Sequence, residues 1–242
     1  EVRKTIEDKK ESLDEIKASG PQLEKTIRAF LFLKKYAREN GFDGFAIKCW
    51  PEIPDEFGFS ISSAVSWLNS EGIPIGCEGD IPGLTTMLLE QWATGGSVPG
   101  LMDLVDVNHS EGRIKVWHGG CTGSSLACDS CGVKCGPHPT IPDTGPAMDF
   151  KLKEGPVTLA RLDQFQDYNQ LFAVEGMAVK DRKITSGNSV VLELPDHKVK
   201  DLLDLIITEG VGHHYALVYG KVRGEMEEFS KINDVKLLPE GS

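Results

Sequence analysis

The chain has no uninterrupted apolar stretch near the roughly 20 residues that cross a bilayer, and no basic-then-apolar leader opens it. A membrane span is therefore not expected, and a soluble, cytoplasmic setting is the default expectation. Positive charge is also short. Lys and Arg number 26 against 37 Asp and Glu, a net charge of -11, so the concentrated basic footprint that nucleic acid requires is missing. Neither G-x-G-x-x-G nor G-x-x-x-x-G-K-[ST] occurs, which argues against the two commonest nucleotide-binding loops of α/β chains. No internal repeat is visible. What is present is a globular composition: 242 residues, 40% hydrophobic and 26% charged, are enough for one large α/β domain or two modest ones.

Six cysteines occur, and their even number does not by itself imply disulfides, because a chain of this length builds a core without staples. Free thiols or metal ligands are the expectation. Four of them fall in Cys121-x6-Cys128-x2-Cys131-x3-Cys135, flanked by His118 and His138, in a Gly- and Pro-rich stretch with little periodicity. This spacing leaves three readings open: Zn²⁺ or an iron-sulfur cluster on four soft ligands, disulfide or redox chemistry, or a loop with reduced thiols.

Residues 1–18 are charge-rich and read as a helix with a patchy apolar face. Leu23, Ile27, Phe30, Leu31 and Ala37 mark a stronger amphipathic helix ending near Asn40-Gly41. Strands are expected at 42–50 and 73–77, and helices near 60–69 and 83–92, giving a β-α-β-α order and a parallel sheet covered by helices. After Gly95-Gly96 the texture changes, with strand-like runs at 101–107, 113–117, 157–162, 171–179, 189–194 and 213–219. Helices are expected at 200–208 and near Glu225. The fold class is α/β, with the parallel sheet in 1–98 and a mostly β, barrel-like second domain in 99–242 that carries a Cys-rich insertion at 119–144.

In such sheets the chemistry gathers beyond the carboxyl ends of strands, where Trp50 and Glu78 lie. Glu78 could bind a divalent cation or accept a proton, while Asp80 is well placed to cap the following helix. Asp103 and Asp106 project to opposite faces of a regular strand and join one site only if it bulges. His213 and His214 also alternate, so one of them readily joins a compact ligand set. Glu, Asp and His together suit Mn²⁺, although paired histidines beside an apolar run equally fit a hydrogen-bonded core feature.

The ordered series CWP (49–51), CEGD (77–80), GLTTML (83–88), Asp103, WHGG (117–120), GPVTLARL (155–162) and GVGHHYALVYG (210–220) resembles the middle and carboxyl-terminal regions of the L-fucose isomerase family, within the wider fucose/arabinose isomerase group. The resemblance runs from about residue 25 to the end. It implies a partial isomerase middle domain in 1–98 and the carboxyl-terminal isomerase domain in 99–242. It also implies Glu78, Asp103 and His214 as ligands of Mn²⁺ or another divalent cation, with Asp106 as the competitor of Asp103. Glu78 and Asp103 double as the acid/base pair.

The expected reaction is aldose-ketose isomerisation of a deoxy or pentose sugar through an enediolate. Trp50, His118 and His213 are the expected substrate contacts; for Trp50 the other option is that it closes the apolar core, and His118 also resembles a histidine that ligates metal in the arabinose branch. Because the family places another α/β domain ahead of this region and builds its sites across subunits, a homo-oligomer or a missing amino-terminal partner is expected. Two other readings stay open: a non-catalytic carbohydrate-binding or regulatory module of the same fold, and a structural or redox zinc protein centred on Cys121, Cys128, Cys131 and Cys135.

Overall fold

The computed structural model describes residues 1–180, 185–195 and 198–240. The chain begins with α1 (Val2–Glu11), a short strand β1 (Glu15–Ile16) and the long α2 (Gly20–Asn40). Ser19 opens α2 by accepting the Gln22 N–H at 3.3 Å, and Gly41 closes it with φ 66°, a left-handed conformation that costs glycine little. Leu23, Ile27, Phe30 and Ala37 are its buried face.

Next come β2 (Phe45–Ile47), α3 (Glu52–Phe57), α4 (Ser62–Ser70), β3 (Ile75–Cys77) and α5 (Ile81–Ala93). β2 and β3 pair in parallel, from Phe45 opposite Ile75 to Ile47 opposite Cys77. β2 is shorter than the expected 42–50 because the Cys49 N–H turns back onto the Ile47 carbonyl at 2.9 Å, which ends the extended run. Glu78 and Cys49 therefore leave the same carboxyl edge of adjacent strands.

The remaining elements are β4 (Gly100–Asn108), β5 (Arg113–His118), β6 (Lys134–Gly136), β7 (Ala147–Lys151), β8 (Gly155–Gln164), β9 (Asn169–Val179), β10 (Asn188–Glu193), α6 (Val199–Thr208), β11 (His214–Tyr219), α7 (Arg223–Asn233) and β12 (Lys236–Leu238). β10, β5, β4, β11, β8 and β9 follow one another antiparallel, and β9 pairs back onto β10 from Val179 opposite Val191 to Met177 opposite Glu193. The sheet thus closes into a barrel, which removes its open edges. The architecture is the expected one, a helix-and-sheet region followed by a barrel-like closed sheet. β7 adds to β10 in parallel and carries β6 and β1 outward, so part of the Cys-rich segment is ordered as strand.

A continuous apolar core links α2 and α4 to the barrel strands, with Trp67, Phe150, Phe172 and Tyr215 among its largest members. α5 packs on β11 and β8 and so ties the β3 edge to the barrel. β4 bulges between Leu104 and Asp106. Among the described residues, no helix is long and apolar enough to cross a membrane.

Candidate metal centre

Strand pairing sets the first relationship: His214, the first residue of β11, lies directly opposite Asp103 of β4. Directly paired residues on antiparallel strands project to one face, which brings the imidazole and the carboxylate together. His214 Nε2 is 3.6 Å from Asp103 Oδ1 and 4.0 Å from Glu78 Oε2. Glu78 arrives from the other sheet, one residue beyond β3, where it adopts φ 60°. A non-glycine residue in that left-handed region is strained, and such residues collect at functional sites.

Two overlapping groups of ligand atoms result, Glu78 with His213 and His214, and Asp103 with His118 and His214. Each group lies within 4.8 Å of itself. Such mixed carboxylate and imidazole donors support a divalent metal cofactor. Asp106 is not among them, even though β4 bulges; it is exposed, and its carboxylate accepts the N–H of Val107 at 2.8 Å.

Behind His214 stands a chain of charges that the sequence did not reveal. Asp80 Oδ1 caps α5 by accepting the Gly83 N–H at 2.9 Å, the role its position suggested. Its Oδ2 takes a second role, 3.0 Å from His214 Nδ1 and in contact with the Arg161 guanidinium. Arg161 Nε donates to Asp163 at 2.8 Å, and Asp163 accepts the Gly212 N–H at 3.0 Å just ahead of the histidines. Burial pushes the Asp80 carboxyl up, but hydrogen bonds from His214, Arg161 and the Gly83 amide outweigh it and hold the group well below the usual carboxylate range. An ionised Asp80 accepts the Nδ1 proton, so His214 turns its Nε2 lone pair toward Glu78 and Asp103. A side chain at Gly212 would place its Cβ 2.8 Å from Arg161 Nε, and one at Gly83 would collide with the Asp80 carboxylate.

His118 is buried, and its Nδ1 accepts the Gly119 N–H at 2.9 Å while Nε2 has no hydrogen-bond partner among the described residues. Burial lowers its pKa, yet Cys121, Asp103 and Cys49 drive it up to about 9. With Nδ1 engaged as acceptor, the neutral ring carries its proton on Nε2. His118 thus stands at the centre beside Asp103 and His214, while Glu78 meets His214 beside His213. His213 precedes β11, so the expected alternation does not apply: its ring lies 4.1 Å from that of His214, on the same rim.

A cavity of about 310 Å³ opens over these groups, lined in part by Trp50, Glu78, Asp103, His118 and His138. Trp50 is 48% exposed, which corrects the option that it closes the apolar core and leaves it as a wall of the cavity. His138 was not singled out from sequence as a cavity residue. Its Nδ1 accepts the Ile141 N–H at 3.1 Å, and its other ring nitrogen lies against Gly119. A larger groove of about 910 Å³ lies near α6 and holds none of the three converging residues.

The reading of Cys121, Cys128, Cys131 and Cys135 as one zinc or cluster site is corrected. Cys128 and Cys131 form a disulfide, Cys135 lies in β6 beside Ser63, and Cys121 turns into the candidate centre against Cys77, at 3.7 Å. Strand formation by β6 carries Cys135 away with its neighbours. No group of four cysteines able to hold an ion occurs among the described residues.

A barrel and a parallel sheet that bring two carboxylates to one cavity, with an oriented imidazole buried behind them, define a candidate divalent-metal site. Comparison with known proteins narrows the class. No family model matches the chain. It is 33% identical over 201 residues to the sulfoquinovose isomerases of Priestia aryabhattai and Priestia megaterium, covering 83% of this chain and 45% of each relative. The sulfoquinovose isomerase of Alkalicoccus urumqiensis is 32% identical over 206 residues, 85% of this chain and 46% of the relative. The chain thus spans less than half the length of the curated relatives it matches. The expected membership of the L-fucose isomerase family is corrected by these three relatives and a fourth, from a Clostridium strain, all of which carry the name sulfoquinovose isomerase. The short motifs behind that expectation do not specify the sugar. The ligand cluster and the similarity to isomerases together support an isomerase-type enzyme.

Proposed function

We propose that this chain forms the metal-binding part of a sulfoquinovose isomerase, interconverting an aldose and a ketose. The observation that carries the reading is the convergence of His214 Nε2 on Asp103 and Glu78, in a chain similar to enzymes of that name. Glu78, Asp103 and His214 would hold the cation, and Mn²⁺ suits their oxygen and nitrogen donors. When bound, the ion supplies electrophilic stabilisation of the negative charge that develops on the sugar oxygens.

The chain's own groups account for the proton traffic. Isomerisation moves a proton between C2 and C1, which requires carboxylates within hydrogen-bond reach of both carbons. Glu78, half exposed at the cavity mouth, takes the proton from one carbon, and Asp103, deeper at the β4–β11 pair, serves the other side. His118 donates from Nε2 to a sugar oxygen, and Trp50 covers a face of the ring. Asp80 and Arg161 hold His214 and touch no substrate.

The test is exchange of the sugar C2 proton with deuterium from solvent, measured by NMR on the assembled enzyme that contains this chain. Exchange should depend on Mn²⁺, and Glu78→Gln should slow it by about 10²–10⁴-fold. Exchange undiminished by that change would remove Glu78 from its role, and none with sulfoquinovose in the intact enzyme would reject the substrate.

A further inference from the structure

The candidate centre also contains three thiols that isomerisation does not use. Cys49 Sγ lies 2.6 Å from Cys77 Sγ, and Cys77 Sγ lies 3.7 Å from Cys121 Sγ. Cys49 is half-buried and lines the cavity, whereas Cys77 and Cys121 are buried behind it. The backbone brings the first two together: Ile47 and Cys77 are register partners of the parallel β2–β3 pair, and the chain turns back at Cys49. The three sulfurs are not grouped closely enough with one another to appear among the possible ion sites of the described residues, so a three-thiolate metal site is not what this arrangement favours.

We propose that Cys49 and Cys77 are a redox-active dithiol that closes reversibly to a disulfide at the mouth of the candidate metal centre. A disulfide bond is about 2.05 Å long, so the two sulfurs need approach by only about 0.6 Å. The oxidant is a low-molecular-weight disulfide, RSSR. Cys49, which the cavity exposes, loses its proton and attacks one sulfur of RSSR, forming Cys49–S–S–R and releasing RS⁻, which takes up that proton. Cys77 then loses its proton and attacks Cys49 Sγ, the Cys49–SR bond breaks, and a second RSH leaves. Two protein thiols give up two electrons, and RSSR carries both away as two RSH.

The link bears on the candidate centre because Glu78 is the residue directly after Cys77. The Glu78 N–H donates to Cys49 Sγ at 3.3 Å, and the Gly79 N–H donates to the Ile47 carbonyl at 2.9 Å. The turn that presents the Glu78 carboxylate is thus already fastened to the end of β2, and the disulfide adds a covalent tie one residue ahead of it. Cys121 Sγ lies farther from Cys77 Sγ, at 3.7 Å, so Cys49 is the favoured partner of Cys77.

The experiment uses the whole protein equilibrated with glutathione, either reduced or oxidised. It is then quenched in acid, unfolded, treated with N-ethylmaleimide and mapped by mass spectrometry without reduction. Under oxidised glutathione most chains should yield a Cys49–Cys77 linked peptide and lose the maleimide adduct at both positions. Reduced glutathione should restore both adducts. Cys49→Ser, at the more exposed of the two positions, should leave Cys77 alkylated. The Cys128–Cys131 pair serves as the internal control for oxidation. Maleimide on both Cys49 and Cys77 while Cys128–Cys131 is closed would overturn the proposal, as would a stable glutathione adduct on Cys49 or a Cys77–Cys121 link in place of Cys49–Cys77. None of these readouts depends on isomerase activity.

Discussion

Asp80 Oδ2 lies 3.0 Å from His214 Nδ1, and the same carboxylate caps α5 through Gly83. One residue at the end of the β3 turn therefore starts a helix, pairs with Arg161 and aims a metal-ready imidazole. Asp80→Asn should weaken Mn²⁺ binding by about 10–100-fold, the usual cost of losing a carboxylate behind a ligating histidine. Isothermal titration with Mn²⁺ reads this directly, and unchanged affinity would leave Asp80 as a helix cap alone.

The same substitution carries a pH signature. The folded pKa of Asp80 is depressed, so its stabilisation is fully present above the unfolded value of about 3.9 and is lost as pH falls through the folded value. Near pH 7, Asp80→Asn should cost about 3 kcal/mol, since it leaves part of a buried charge network unpaired. Urea unfolding from pH 7 downward should show the gap between wild type and variant constant to about pH 4 and shrinking below it. A gap independent of pH would contradict the ion-pair reading.

Glu90 of α5 is fully buried, and neither carboxylate oxygen has a hydrogen-bond partner among the described residues. Burial raises its pKa well above the ordinary value, so the folded chain keeps a proton that the unfolded chain releases above about pH 4.3. Its contribution is fully present below that pH and is lost as pH rises toward the folded value. Glu90→Gln should be more stable than wild type at pH 8, with the advantage gone near pH 4. Thermal or urea unfolding at both pH values checks it.

Gly212→Ala should destabilise by about 1–3 kcal/mol, because the added carbon would press on Arg161 and Asp163 in a filled space. If that substitution leaves both stability and Mn²⁺ affinity unchanged, the Arg161–Asp163 brace does not fix the position of the histidines.

His118 and His214 separate a donor from a ligand. His214→Gln should reduce Mn²⁺ affinity at least about 100-fold, whereas His118→Gln should change it only about threefold while lowering kcat/KM. Equal losses of affinity would place both imidazoles on the ion.

Much of the fold was legible in local pattern. Alternating apolar residues marked β4, β5, β8, β9, β10 and β11, and the spacing from Leu23 to Ala37 marked α2. Closure of the barrel was not fixed by any one segment, because the β9–β10 pairing is a relation between two strands that leaves no trace within either. Glu78, Asp103 and His214 were named from an ordered set of motifs, and in the structure His214 Nε2 lies 4.0 Å from Glu78 and 3.6 Å from Asp103, the two carboxylates belonging to separate candidate groups that share His214. The sugar was not legible, since nothing in these motifs specifies the rest of the substrate. Arg161 and Asp163 were missed because their roles depend on contacts across 81 residues to Asp80 and 49 to Gly212. The cysteine spacing misled in the same way: sequence proximity grouped Cys121 with Cys128, while the fold grouped it with Cys77.

The central claim is that Glu78, Asp103 and His214 share one cation, and anomalous scattering at the manganese edge from crystals of the Mn²⁺-loaded protein tests it most directly. The expected result is one strong peak about 2 Å from His214 Nε2 and from an oxygen of both Glu78 and Asp103. No peak in that cavity at saturating Mn²⁺, or a peak held by Asp106 or the cysteines in place of these three residues, would contradict the account.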